Sequence, residues 1–112
     1  MNMLEKYIRL MQEGNVEEIA NLFSEDGILH DSSWLKVKKD ILHVEGRKGI
    51  EMLLHNKVGF NGGKFNIANV KFYSNEAVSY IIKYGNQIVE AFAYIKEYDE
   101  NGYMKKLYIY AE

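Results

Sequence analysis

Leu4, Tyr7, Ile8 and Met11 recur at three- and four-residue intervals, which predicts an amphipathic helix over 2–13, ended by Gly14, with Tyr7 on its buried face. Asn15 then offers an N-cap, and Glu18 three residues later can complete a capping box. Val16, Ile19, Ala20, Leu22 and Phe23 fall on one side at helical spacing. The second helix is therefore expected to run through Phe23, with Asp26-Gly27 breaking it before a strand from Ile28 to Asp31. Ser32 to Glu45 carries Trp34-Leu35-Lys36-Val37 and Ile41-Leu42-His43-Val44 around the polar Lys38-Lys39-Asp40, the pattern of a hairpin or a long flap. Ile50, Leu53 and Leu54 form the apolar stripe of a third helix over 46–54, and Gly59-Phe60-Asn61-Gly62-Gly63 reads as a mobile loop.

From Phe65 the period changes to two, in runs 65–73, 77–84, 87–98 and 103–110 separated by Ser74-Asn75-Glu76, Gly85-Asn86 and Asp99-Glu100-Asn101-Gly102. Valine, isoleucine, phenylalanine and tyrosine dominate these runs, as a half-buried pleated surface requires. The order α-α-β-α-β-β-β-β predicts an α+β fold, with three N-terminal helices packed on one face of a curved, mainly antiparallel sheet. Both faces of the last strand are partly apolar: Tyr103, Leu107 and Ile109 on one, Met104, Tyr108 and Tyr110 on the other. Helices can cover one face, so the other is expected to be buried in a homodimer.

At 112 residues the chain is read as a single domain over 1–112, with material for one core. A net charge of -2, with Lys and Glu interspersed, argues against a nucleic-acid surface. No cysteine is present, so thiolate chemistry and disulfides are excluded and the cytoplasm is the expected compartment. No apolar run approaches the roughly 20 residues of a membrane span, and the N-terminus shows no signal core. His30, His43 and His55 do not form a local metal signature, so no metal site is expected.

Particular residues carry a family resemblance: Gly14-Asn15, Ile19-Ala20-Asn21-Leu22-Phe23-Ser24-Glu25-Asp26, His30-Asp31, Gly46-Arg47-Lys48-Gly49-Ile50 and the four-strand meander. The pattern resembles the nuclear transport factor 2-like superfamily of cone-shaped rolls, in particular its SnoaL-like polyketide cyclases and ketosteroid isomerases, over nearly the whole chain. The resemblance implies an internal apolar cavity and a cofactor-independent site. Aligning Gly14 with the corresponding glycine of the isomerases places Tyr7 at their oxyanion-hole tyrosine and Asp31 at their general-base aspartate. A carboxylate removes a proton beside a carbonyl, and a phenol donates to the oxygen that becomes negative. In those enzymes a protonated aspartate completes the oxyanion hole. Counting back from the Gly102 turn puts Tyr94 there instead, or Ala93 if the register slips by one. The segment from Asp31 to Gly46 is also longer than in the isomerases and lacks their proline.

Three functions stay open on this reading. One is isomerisation, cyclisation or dehydration of a small hydrophobic carbonyl compound, with Asp31 as base and Tyr7 and Tyr94 as donors. The second is binding of a small hydrophobic molecule without chemistry, in a cavity lined by Met11, Phe23, Trp34, Phe60, Glu90, Phe92 and Leu107. The third is a dimeric interaction module whose tyrosine-rich sheet face is the working surface. Each residue also has a structural alternative. Asp31 can cap the next turn through the Ser32 or Ser33 amide, Tyr7 can be core, and Glu90 can be a solvated rim residue. His30 is expected on the opposite sheet face from Asp31.

Overall fold

In the computed structural model, residues 2–33, 41–60, 65–84 and 86–111 are described. Helix α1 spans Met3–Glu13 and opens with a complete capping box, in which Asn2 accepts from the Glu5 amide and Glu5 reaches back to the Asn2 amide. Gly14 closes it at φ 74°, the left-handed conformation that glycine adopts without steric cost. Helix α2 spans only Val16–Ala20. Asn15 caps it by accepting from the Glu18 amide at 3.3 Å, but the expected box does not close: the Asn15 amide already donates to the Leu10 carbonyl.

Strand β1 spans Phe23–Asp31, five residues more than its predicted start at Ile28. Phe23 belongs to the sheet rather than to α2, because it pairs with Met104 and its carbonyl accepts two hydrogen bonds, at 2.9 and 2.6 Å, from the Arg47 guanidinium. Strand β2 (Leu42–Glu45) follows, then helix α3 (Arg47–Phe60), which continues past the predicted end at residue 54 and takes in Gly59 and Phe60. Strands β3 (Asn66–Phe72), β4 (Ala77–Tyr84), β5 (Gln87–Tyr98) and β6 (Met104–Ala111) match the period-two runs within about one residue. The observed order is thus α-α-β-β-α-β-β-β-β, with one strand more than predicted because the end of the flap pairs with β1.

The six strands run in the order β2-β1-β6-β5-β4-β3. Only β1 and β6 are parallel; every other pair is antiparallel. The core lies between the helices and one face of this sheet, where Leu4, Ile19, Phe23, Ile50, Val78, Ala93, Met104 and Leu107 are fully or almost fully buried. Each large apolar side chain buried there contributes about 1.5–3 kcal/mol. Alternation along β5 sends Val89, Ala91, Ala93 and Ile95 into the core and leaves Glu90, Phe92 and Tyr94 on the outer face.

Candidate functional site

The parallel pairing of β1 with β6 sets Asp31 beside Ile109 at the strand end. Ser32 keeps that register one residue further, its amide donating to the Ile109 carbonyl at 2.8 Å. Ser33 then turns back. Its amide donates to Asp31 Oδ1 at 2.9 Å, and its hydroxyl donates to the same oxygen. Asp31 thus does cap the following turn, and the two donors fix its carboxylate in orientation.

Tyr7 reaches this end of the sheet from α1, and Tyr80 reaches it from β4. Both phenols are nearly sealed from solvent, at 2% and 4% exposed. Together with Asp31, Ser33, Met11 and Leu42 they line one recess, whose remaining wall is apolar and includes Leu29, Leu53, Phe65 and Val89. The cavity volume is about 40 Å³. An apolar cavity that takes up benzene measures about 150 Å³. With the walls as they stand, only a few heavy atoms fit between the two phenols and the carboxylate.

Electrostatics ties the three groups together. Burial raises the Tyr7 phenol far above its ordinary range, and the charge of Asp31 raises it further. Tyr80 is raised by burial first, then by Tyr7 and by Asp31. Both phenols therefore stay protonated at neutral pH and remain O–H donors.

Among the other candidates from the sequence, Met11 lines the recess, while Phe23 and Leu107 are fully buried in the core away from it. Tyr94, Glu90 and Phe92 are corrected to the opposite face of the sheet. The β5–β6 register pairs Ala93 with Ile109 and Tyr94 with Tyr108, so Ala93 takes the inward position that Tyr94 was expected to fill. Tyr94 instead packs against Phe92, Tyr108 and Tyr110. Trp34 and the centre of the flap lie outside the described residues, as does the side chain of Phe60. His30 faces away from Asp31, as alternation requires, against His43 and Tyr108. Two residues escaped the sequence reading. Tyr80 shares an apolar alternation with Val78 and Ile82 that would have marked it as inward-facing, and Ser33 contributes a hydroxyl as well as the foreseen amide. Among the described residues, no three His, Asp or Glu side chains are grouped to hold a metal ion.

No family model and no curated protein matches the chain. Solved structures do. The epoxide hydrolase/cyclase-like enzyme SalBIII, described in pyran ring formation in polyether salinomycin, superposes with a TM-score of 0.68 at 17% identity, over 98% of this chain and 88% of its own. An NTF-2 like protein of unknown function from Burkholderia xenovorans LB400 gives 0.68 at 16%, over 98% of this chain and 80% of its own. A phenazine biosynthesis-related protein from Pseudomonas aeruginosa gives 0.65 at 14%, over 98% and 77%. The chain has the cone-shaped α+β fold of the nuclear transport factor 2-like proteins. At these identities the likeness defines the fold and leaves the chemistry to the site.

Proposed function

We propose that the recess is a proton-transfer site for a small carbonyl compound, with Asp31 as general base and Tyr7 and Tyr80 as oxyanion donors. The observation that carries this reading is the convergence of one fixed carboxylate and two buried phenols on a single recess. In the step envisaged, Asp31 takes a proton from the carbon beside the carbonyl, and the C–H electron pair moves through the new C=C bond onto the carbonyl oxygen. That oxygen accepts hydrogen bonds from the phenols, which act as preorganised donors in a water-poor site. Return of the proton from Asp31 to another carbon isomerises the compound; expulsion of a β-hydroxyl, which takes the Asp31 proton and leaves as water, dehydrates it; attack of the enolate carbon on a second carbonyl closes a ring, and the new alkoxide takes the Asp31 proton. Each outcome balances without a cofactor. On this reading Tyr80 takes the role of second donor that the sequence reading gave to Tyr94, because it is buried and lines the recess with Tyr7 and Asp31. The size of the recess favours a compound of which only the reacting end is enclosed.

The two Ser33 donors on Oδ1 favour a second reading, in which Asp31 only orients a bound molecule. One experiment separates the two. Small ketones are incubated with the protein in heavy water, and deuterium entering beside the carbonyl is followed by NMR. Proton abstraction predicts accelerated exchange that falls by about a hundredfold or more in Asp31→Asn, with unchanged circular dichroism and melting. No acceleration with any ketone of the panel, or an equal rate in the variant, refutes the base and leaves the orienting role.

A further inference from the structure

On the outer face of the sheet, the fold joins two histidines that lie thirteen positions apart in sequence. His30 on β1 and His43 on β2 are direct antiparallel partners, and their Nδ1 atoms approach to 2.9 Å with the rings at 68°. Directly opposed strand residues carry their Cβ atoms about 4.5–5.5 Å apart, close enough for two imidazoles to converge on one point. His43 Nε2 lies 3.4 Å from Glu45 Oε2 on the same strand. The carboxylate favours a proton on that nitrogen, which leaves Nδ1 of a neutral His43 with its lone pair. His30 Nδ1–H is then the donor of the pair.

We propose that His30 and His43 form a two-histidine chelate for a divalent transition-metal ion, with Glu45 as its positioning residue. Two Nδ1 atoms at this separation need only a small outward rotation to sit about 2.0–2.1 Å from a common ion. On binding, the His30 proton moves from Nδ1 to Nε2, so both imidazoles stay neutral and both present a lone pair. The Glu45 carboxylate beside His43 Nε2 favours the ligating tautomer, the carboxylate–histidine–metal arrangement that orients such ligands elsewhere. His43 is 45% exposed at its side chain, so an ion reaches the pair from solvent. No third His, Asp or Glu among the described residues is placed to join the site, and water completes the coordination. A chelate of two imidazoles discriminates by intrinsic affinity, which ranks Cu²⁺ above Ni²⁺ and above Co²⁺. The bound ion would bridge β1 and the edge strand β2, whose Leu42 lines the recess on the other face.

The test is calorimetric titration of the full chain with CuCl₂, NiCl₂ and CoCl₂. One ion per chain is expected, in that order of affinity. His30→Ala and His43→Ala should each weaken Cu²⁺ binding at least tenfold, and Glu45→Gln by about tenfold with both imidazoles kept. His55→Ala, on α3 beside Glu51, should leave it unchanged. A second measurement needs no variant: paramagnetic Ni²⁺ should broaden the His30 and His43 ring signals before that of His55. Absence of binding, full affinity in His30→Ala, or broadening centred on His55 overturns the site. Unchanged affinity in Glu45→Gln overturns the role of the carboxylate.

Discussion

A phenol sealed from water beside a carboxylate resists ionisation for two reasons, and both act on Tyr7 and Tyr80. Their folded-state values lie above that of an unfolded tyrosine, which ionises near pH 10. The stability they contribute is therefore complete below about pH 10 and is lost as pH rises, because the unfolded chain gives up those protons first. By about pH 11 each phenol accounts for a loss on the order of 1 kcal/mol. Tyr80→Phe should accordingly lose less stability than the parent, by about 1 kcal/mol, between about pH 9 and pH 11, measured by urea unfolding at both values. An equal loss would mean that the Tyr80 phenol is not held protonated by its surroundings. At this scale the site was partly legible in the sequence. Asp31 and Tyr7 stood out because the family resemblance, aligned at Gly14, matched both positions in residue type. Tyr94 did not hold its assigned place, because which of two neighbouring strand residues faces inward depends on the register between β5 and β6, and a slip of one reverses every side chain.

Gly27 shows how an element boundary can be misread from a sound local signal. Asp26-Gly27 reads as a helix breaker, yet Gly27 lies within β1, where the pairing to β6 shifts register between Phe23 and Ile28. A glycine inside a strand marks a bulge or a close backbone approach, and here it marks both. A Cβ at Gly27 would stand 3.0 Å from Phe23 Cβ, 3.0 Å from the Ser24 carbonyl oxygen and 3.2 Å from that of Met104. Two of these neighbours are backbone atoms of paired strands and cannot rotate away. The Gly27 carbonyl also accepts from the Gly46 amide at 2.7 Å, so displacement would be passed to the start of α3. Gly27→Ala should cost about 1–3 kcal/mol, read as a lower urea midpoint; a midpoint equal to the parent's would show that the bulge has slack. Helix α2 was overextended for a related reason. Leu22 and Phe23 fit a helical stripe, but Phe23 is captured by Met104 and Arg47, partners about eighty and twenty-four positions away that no local window contains. Strand β2 stays open in the sequence between a hairpin and a flap, since its four residues pair with β1 and not with a neighbour across a local turn.

At the scale of the molecule, the helices solve only half of a covering problem. They bury the inner face of the sheet, while the outer face carries Tyr73, Phe92, Tyr94, Tyr108 and Tyr110 as a connected set of rings with centroids 5.2 to 6.4 Å apart. The rings shield one another, yet Tyr73 and Tyr110 remain 53% and 41% exposed. A contiguous aromatic patch of this kind is enriched at protein interfaces, and a self-complementary strip related by a two-fold axis is the simplest partner for it. The apolar character of both faces was plain in the alternation of the last two strands, although the parallel β1–β6 pairing that closes one side of the strip was not, because parallel neighbours are joined by no turn. The proposal that follows is a homodimer through the Phe92, Tyr94 and Tyr110 part of this face, which leaves His43 on the edge strand β2 open to solvent; it is tested by sedimentation equilibrium at micromolar concentration. The parent should show twice its 13.1 kDa chain mass. Tyr110→Glu should show a single chain mass, because a carboxylate placed within the aromatic strip would have to be desolvated on association. Tyr110 is exposed enough for the variant to keep the monomer fold, and near-identical far-ultraviolet spectra would establish that it does. A parent that sediments as one chain would leave the tyrosines as a wet, self-packed surface, and a variant that remains two chains would move the interface off this face.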